Sequence, residues 1–365
     1  MNMAVISLDK SLKAIKQFTF KGTPVGCAPY GNGHINDTFI VTCREDFKTY
    51  KYIMQRVNTD VFPDIEAIVS NVSLVTAFLK KSATEKRAVL DVIPTRNGKF
   101  LYRDEDDLCW RAEAFIDNSI CLERPESNKD FYECGIAFGD FVKRLDDFPV
   151  EAIKETIKDF HNTEKRYRKF LSAVAKNKVG RASSVEEEID FINKRADFYS
   201  LFRTEYEAGN LPLRVTHNDT KCNNVMLDKE TRKALCVIDL DTIMPGFSVN
   251  DFGDSIRFGA NTADEDEKDL SKVKLDIELF KAFAEGFIKG SGGLLKKTEV
   301  MLLPEGAKMM TIECGMRFLT DYLQGDTYFK TSYPEHNLVR CRTQLKLVEE
   351  MEKNWDTLKE IVSKY

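Results

Sequence analysis

The stretch Val215-Thr-His-Asn-Asp-Thr-Lys-Cys-Asn-Asn224 decides how this chain is read. It spells H-x-D-x-x-x-x-N, with Asp219 and Asn224 at its two functional positions and Lys221 between them. That spacing serves phosphoryl transfer: the aspartate accepts the proton of an attacking hydroxyl, and the asparagine holds a metal ion. A lysine two residues after the aspartate is placed to reach the phosphoryl group in flight. Taken singly, an Asp or Asn in a loop is usually turn chemistry. These residues gain weight only in combination with a hairpin and a second acid.

Downstream, the apolar runs Asn224-Val-Met-Leu227 and Ala234-Leu-Cys-Val-Ile-Asp239 flank the turn-like segment 227–233, the form of a β-hairpin. Pairing Leu227 near Cys236 sets Val225 opposite Ile238 and Asn224 opposite Asp239, and facing residues lie about 5 Å apart. An amide oxygen beside a carboxylate is a donor set that Mg²⁺ takes. Asp251-Phe-Gly253 imitates a metal-binding D-F-G, but it begins 32 residues after Asp219, behind the loop Met244-Pro-Gly-Phe-Ser248. Asp239, 20 residues after Asp219 and ending a strand, takes the metal role. Asp251 reads as a structural tether, and Asp254 with Arg257 as a local pair.

The 365 residues suit a molecule of two unequal lobes. Hydrophobic residues at 42% and charged ones at 31% describe ordinary globular material. A net charge of −5 leaves no basic footprint for nucleic acid or an acidic membrane. Nine cysteines without a C-x-x-C argue against a disulfide frame or structural zinc, and for a reducing cytoplasm. Asp9, Lys10, Lys13 and Lys16 interrupt any signal-peptide core, and no apolar run reaches 18 residues. The expectation is a cytoplasmic protein whose partner is a small molecule, with no membrane or nucleic-acid partner.

Residues 8–18 predict a short helix. Val25 to Tyr30, then Gly31-Asn-Gly-His-Ile-Asn36, then Thr38 to Cys43 read as strand, glycine turn and strand. This is the form of a loop that covers nucleotide phosphates with backbone N–H groups; Gly31, Asn32 and Gly33 are its candidate contacts. The bare pattern fits a plain hairpin turn as well. Tyr50 to Val57 is the next strand, and Gln55 stands where the protein-kinase plan has a phosphate-pairing lysine. Either Arg56 supplies the charge after a local twist, or the amide is used as it is and metal with Lys221 provides the positive field. Residues 63–81 have helical spacing, with Glu66 the nearest acid for a cleft cation. Val89 to Ile93, Asn97-Gly98 and Lys99 to Tyr102 predict a hairpin with a type I′ turn, and 108–116 a further strand. About five strands and one main helix make an N-terminal lobe, 1–117. The chain leaves it through a hinge, Ile116-Asp-Asn118, against which an adenine would lie, with Phe115 and Asp117 its candidate contacts.

Helices dominate the remainder, 118–365: 131–145, 185–207, a stripe at 279–288, 308–324 and 337–363. The acidic run 264–269 reads as a hydrated helix start. Glu313, Arg317 and Asp321 stand at i, i+4 steps, on pattern alone a surface ion ladder. The expected fold is α+β and protein-kinase-like, a small antiparallel sheet lobe beside a larger, mainly helical one.

Six segments carry a resemblance to a known family. They are Tyr30-Gly-Asn-Gly-His-Ile-Asn36, Arg214-Val-Thr-His-Asn-Asp-Thr-Lys221, Val237-Ile-Asp-Leu-Asp-Thr-Ile-Met-Pro-Gly246, Asp251-Phe-Gly-Asp-Ser-Ile-Arg-Phe-Gly259, Glu313-Cys-Gly-Met-Arg-Phe-Leu319 and Tyr333-Pro-Glu-His-Asn-Leu-Val-Arg340. Over nearly its whole length the chain resembles the N-acetylhexosamine 1-kinases, among the aminoglycoside phosphotransferase-like kinases. The resemblance implies phosphorylation of the anomeric hydroxyl of N-acetylglucosamine or N-acetylgalactosamine with ATP and Mg²⁺. It implies Asp219 as base, Asn224 and Asp239 on the metal, and His34, Arg317 and Tyr328 on the sugar, which moves Arg317 from ion ladder to ligand contact. The family's acid between the two loop glycines is Asn32 here; its relatives share the glutamine at Gln55. One alternative is a kinase of the same fold with homoserine, choline or an aminoglycoside as acceptor, of which the cationic ones need an acidic or aromatic pocket. Another is a sugar- or nucleotide-sensing pseudokinase, against which stand the intact Asp219, Asn224 and Asp239.

Overall fold

A computed structural model describes residues 8–31, 36–61 and 63–365. Asn32, Gly33 and His34 lie outside the described residues.

Apolar alternation builds the first half. β1 (Thr23–Pro29), β2 (Asp37–Glu45), β3 (Lys48–Val57), β4 (Tyr102–Arg103) and β5 (Cys109–Ala114) form an antiparallel sheet in the order β1-β2-β3-β5-β4. Phe39, Val41, Tyr52, Met54, Trp110 and Ala112 share one core with Ala14 and Ile15 of α1 (Leu8–Ile15) and with Phe18. Side chains alternate along a strand, so Thr38, Gln55 and Arg111, which share one register row, come to the opposite face. α2 (Ile65–Lys80) starts on an Asp64 cap and buries Ile68, Val72, Val75 and Leu79. Its core joins Val57 and Cys109 of the sheet to Phe141, Leu240 and Ile243 of the second half. Asn71 fastens the helix there, donating to the carbonyls of Lys154 and Ile243.

The hairpin expected over 89–102 is a different structure. Its turn forms, with Gly98 at φ +79° and Thr95 and Lys99 closing it. Its arms, however, both run along β5: Ile93 N–H donates to Ala112, Ala114 N–H donates to Asp91, and β4 pairs with Cys109 and Trp110. Pro94 has no N–H with which to continue a ladder, and the Thr95 hydroxyl bonds the Lys99 carbonyl instead.

The second half is mainly helical: α3 (Asn128–Arg144), α4 (Thr163–Lys176), α5 (Glu186–Asn193), α6 (Leu201–Glu207), α7 (Ser248–Gly259), α8 (Ile277–Gly290), α9 (Lys297–Met301), α10 (Leu303–Gln324), α11 (His336–Lys353) and α12 (Trp355–Ser363). Two small sheets sit among them. β6 (Ser119–Cys121), β8 (Val225–Asp228) and β9 (Ala234–Val237) form one, and β7 (Arg214–Thr216) with β10 (Met244–Gly246) the other. Phe131, Phe252, Phe280, Phe283 and Phe287 pack ring against ring where α3, α7 and α8 meet. α7 and α10 cross at backbone contact. A Cβ on Gly253 would lie 2.2 Å from the Gly306 carbonyl oxygen, and one on Gly306 would lie 2.1 Å from that of Val249.

Three helix expectations change. Residues 185–207 break after α5 into a 3₁₀ turn, Ala196–Ser200, because Arg195 turns to Glu352 and Tyr199 Oη takes up the Ile192 carbonyl. The last helix breaks at Asn354, whose side chain bonds the Glu350 carbonyl. The acidic run 264–269 lies in the connection before α8 and starts only a 3₁₀ turn, Leu270–Lys272, which Asp269 caps by accepting the Ser271 N–H, while its other carboxylates are drawn to Arg124, Arg257, Lys272 and His336.

Candidate active site

The catalytic loop leaves β7 where Thr216 pairs with Met244 of β10. Asn218 adopts φ +65°, and the sharp bend is held from α7. The two oxygens of Asp251 accept the N–H groups of His217 and Asn218, at 2.9 and 2.8 Å. One turn on, Asp254 accepts the Thr220 N–H at 3.0 Å and pairs with Arg257. The tether and the local pair read from sequence are both present. Burial pushes the Asp251 carboxyl up to about 6. Burial acts on Asp254 in the same sense, but Arg257 and Lys221 outweigh it and hold Asp254 below the usual range.

Three side chains converge beyond the bend. Lys221 Nζ lies 3.0 Å from Asp219 Oδ1. Asn224 Nδ2 donates to the Asp219 carbonyl at 2.7 Å and to its Oδ2 at 3.3 Å. Burial works against the Lys221 charge, but Asp219 and Asp254 hold its pKa above the ordinary lysine value. With its amide nitrogen committed to Asp219, Asn224 keeps Oδ1 without a donor among the described residues.

Asp239 arrives by another route than the expected ladder. Val225 pairs with Val237, Met226 with Cys236 and Leu227 with Ala234, and Ile238 N–H donates to the Asn224 carbonyl. At Leu227 the partner is two residues from the expected Cys236; a bulge between Met226 and Leu227 recovers one of them, so the pairing of Val225 with Ile238 and of Asn224 with Asp239 is off by one. Asp239 instead adopts φ +57°, turning the chain from β9 into the 3₁₀ turn Leu240–Thr242. Its carboxyl is pushed up to about 7 by burial, then by the carboxylates of Asp241 and Asp219. It accepts no hydrogen bond among the described residues. A carboxylate crowded by others and given no donor, beside a free amide oxygen, fits a hard cation. Among the described residues no three His, Cys, Asp or Glu side chains form a closed cage. Mg²⁺ takes one or two carboxylates and fills its octahedron with water and phosphate oxygens.

The cation on the sheet side is Arg111, which sequence reading missed. It faces Gln55 in register and donates to Gln55 Oε1 at 2.9 and 2.7 Å. The same guanidinium grips both oxygens of Asp241, and both residues are buried. Gln55 donates onward to Thr38 at 3.3 Å. Arg56 pairs with Asp37 and Glu66 with Arg103, so neither supplies the cleft. The second acid of Ile238-Asp-Leu-Asp241 was the available signal.

At the hinge, Phe115 N–H donates to Lys51 and its ring stands edge-on to Tyr30 at 5.9 Å. Asp117 is exposed, with its carbonyl taken by Arg87. Gly31 enters the glycine loop at φ +73°.

On the other side of Asp219 lies α10, and there the surface ladder is overturned. Glu313 and Asp321 are buried, because this face of α10 packs inward. Glu313 is 3.0 Å from His161 Nδ1 and accepts from Thr163 at 2.5 Å, while His161 Nε2 is 3.4 Å from the Asn218 carbonyl. Asp321 accepts the N–H groups of Thr327, Tyr328 and Phe329 and the Asn337 amide. Arg317 stands between them without an ion pair or hydrogen bond among the described residues, against the rings of Phe160 and Phe329. Tyr328, 71% exposed, borders the same recess as Arg317. His161, one of four histidines, was the missed residue on this wall.

Comparison with known proteins agrees with this architecture. The sequence profile of the phosphotransferase enzyme family (APH) matches residues 27–272. Among solved structures, the chain is similar to an aminoglycoside phosphotransferase from Alicyclobacillus acidocaldarius, with a TM-score of 0.62 and 12% identity over 93% of each chain. A spectinomycin phosphotransferase in complex with ADP and spectinomycin has a TM-score of 0.57 and 14% identity over 96% of this chain and 100% of its own. Choline kinase from Cryptosporidium parvum has a TM-score of 0.55 and 15% identity over 93% of this chain and 92% of its own. The fold is the kinase-like one, an antiparallel sheet followed by a helical region. Among the described residues no helix is long and apolar enough to cross a membrane.

Proposed function

Since the chain belongs to the phosphotransferase enzyme family, we propose that it transfers a phosphoryl group from ATP to the anomeric hydroxyl of an N-acetylhexosamine, N-acetylglucosamine or N-acetylgalactosamine. The observation that carries the reading is the Asp219 carboxylate, set between Lys221 and Asn224 with the donor-less Asp239 beside it.

Asp219 acts as general base. An anomeric hydroxyl is more acidic than an ordinary alcohol, so a carboxylate suffices to take its proton. Asn224 and Lys221 fix the rotamer of Asp219, and the bend at Asn218, clamped by Asp251, fixes its backbone. Lys221 brings positive charge to where charge spreads over the moving phosphoryl oxygens, and positioning plus such charge supplies most of this catalysis. Asn224 and Asp239 would hold Mg²⁺, which when bound neutralises phosphate charge. Gly31, with Asn32 and Gly33, covers the phosphates, Gln55 lines the sheet side, and Phe115 and Asp117 border the base. On the acceptor side Arg317 and Tyr328, with His34, offer donors to hydroxyls and an acetamide carbonyl. The two buried acids of that wall already have partners, which leaves little to hold a quaternary amine or an aminoglycoside.

Phosphorus NMR of the product made from N-acetylglucosamine and ATP tests the reading, with an anomeric phosphate as the expected signal. Transfer to choline or an aminoglycoside with none to a sugar would overturn it in favour of the other acceptor class. ATP binding without turnover on any acceptor would favour a sensing role.

A further inference from the structure

The wall beyond Asp219 carries more positive charge than a neutral sugar requires. Arg166, Lys169 and Arg317 border one recess with Asp321, Tyr328 and Phe329. Short contacts link the rim of the recess to the loop of Asp219. His161 touches the Asn218 carbonyl, the Phe160 ring lies tilted against His161 at 4.4 Å, and Arg166 Nη2 donates to the Phe160 carbonyl at 2.9 Å. None of the three cations has a carboxylate partner within ion-pair distance among the described residues. Asp321, the acid on the rim, spends its oxygens on three backbone N–H groups and Asn337. Glu313, nearby, spends its own on His161 and Thr163.

We infer that Arg166 and Lys169 form an anion subsite beside Arg317, and that the acceptor is a hexosamine derivative carrying a carboxylate or phosphate as well as its reacting hydroxyl. This rests on the sugar-kinase reading and extends its acceptor from the neutral sugars to an acidic derivative of them. The Arg166 Nε is buried with no acceptor among the described residues. An unsatisfied, charged donor of that kind is costly unless a ligand completes it. Burial and then the like charge of Arg317 lower the Arg166 pKa, a repulsion that an anion between the two relieves. The recess is about 40 Å³, room for about three waters. One acidic substituent fits there. A planar guanidinium is suited to grip carboxylate or phosphate oxygens in pairs, with lysine adding a point charge.

The test compares N-acetylglucosamine, N-acetylmuramic acid and N-acetylglucosamine 6-phosphate as acceptors, with kcat/KM for each. Calorimetric binding of each in the presence of ADP runs alongside. At least one acidic sugar should exceed the neutral one tenfold or more, and the better of the two identifies carboxylate or phosphate as the group received. In Arg166→Gln and in Lys169→Gln the ratio of acidic to neutral kcat/KM should fall towards one; Lys169, being exposed, keeps the test valid should the Arg166 variant misfold. A neutral sugar equal to or better than both acidic ones, or a ratio unchanged in the Lys169 variant, overturns the subsite and leaves the kinase reading standing. Failure of every sugar to be phosphorylated would instead sink the kinase reading. Binding then judges the subsite alone, with tighter acidic ligands supporting it and equal or absent binding overturning it.

Discussion

Arg111 of β5 and Asp241, two residues past Asp239, form a buried two-pronged ion pair that joins the sheet to the turn that begins at Asp239. Removing one partner of such a pair leaves an uncompensated charge, at a cost of about 3–5 kcal/mol. Arg111→Met should therefore lower the free energy of unfolding by that order and release Gln55 from its register. Arg111→Lys keeps the charge but not the fork and should fall between. Denaturant melts of the three proteins check this. A loss under about 1 kcal/mol for the methionine variant, the range of an exposed pair, would contradict the role given to the pair.

Asp219→Asn preserves the shape of the side chain and removes its basicity. The expected result is a fall in kcat of at least about a hundredfold, the scale of a lost general base, with KM values for both substrates within a few-fold of the parent. Single-turnover kinetics separates the two effects. A normal chemical step with weakened binding would assign Asp219 to substrate binding instead.

Asp251 is the anchor of the bend. Asp251→Ala orphans two buried N–H groups, each worth about 1–3 kcal/mol when unsatisfied. Stability should drop accordingly, and kcat should drop as the loop loses its shape. Asp251→Asn retains an acceptor for one of the two and should be milder on both counts. Thermal melts and initial rates together decide it.

Glu313 sets an acid dependence. Burial alone would raise its pKa, but the hydrogen bonds from His161 and Thr163, with the charges of His161 and Arg166, hold it below the ordinary 4.5. Below that value the unfolded chain takes up a proton before the native one does. The stabilisation from the ionised carboxylate is therefore complete above pH 4.5 and is lost as pH falls through the lower native value. Glu313→Gln should cost about 1.5–3 kcal/mol near pH 7, as for a hydrogen bond to a charged group. The gap to the parent should narrow progressively below about pH 4.5. Melts at about pH 7, 5 and 3.5 would show it, and a gap constant across that range would refute the assignment.

The loop from His217 to Asn224, the tether at Asp251, the strands of the first sheet and most helices are legible in the sequence because their signals are local: spacing, alternation and caps. What stays hidden is non-local. The Arg111–Asp241 pair spans 130 positions, so no window of sequence contains it. The Asn97-Gly98 turn is legible, but a turn specifies its own bend and not which strand its arms join. At the Asn224 hairpin a single bulged residue moves the register by one, and bulges leave no mark in an apolar run. Glu313 and Asp321 illustrate a different limit: an i, i+4 charge pattern is the same whether that face of the helix meets water or a buried histidine.

The touching backbones at Gly253 and Gly306 leave no layer of side chains along which α7 and α10 might slide. The helix that clamps the Asp219 loop and the helix that carries Arg317 are consequently a single casting. On the proposed reading, the distance between base and acceptor is then a property of the folded chain, present before any substrate arrives. Retuning this protein for another acceptor would have to proceed by exchanging the groups displayed on α10, because shifting the helix itself is not open to it.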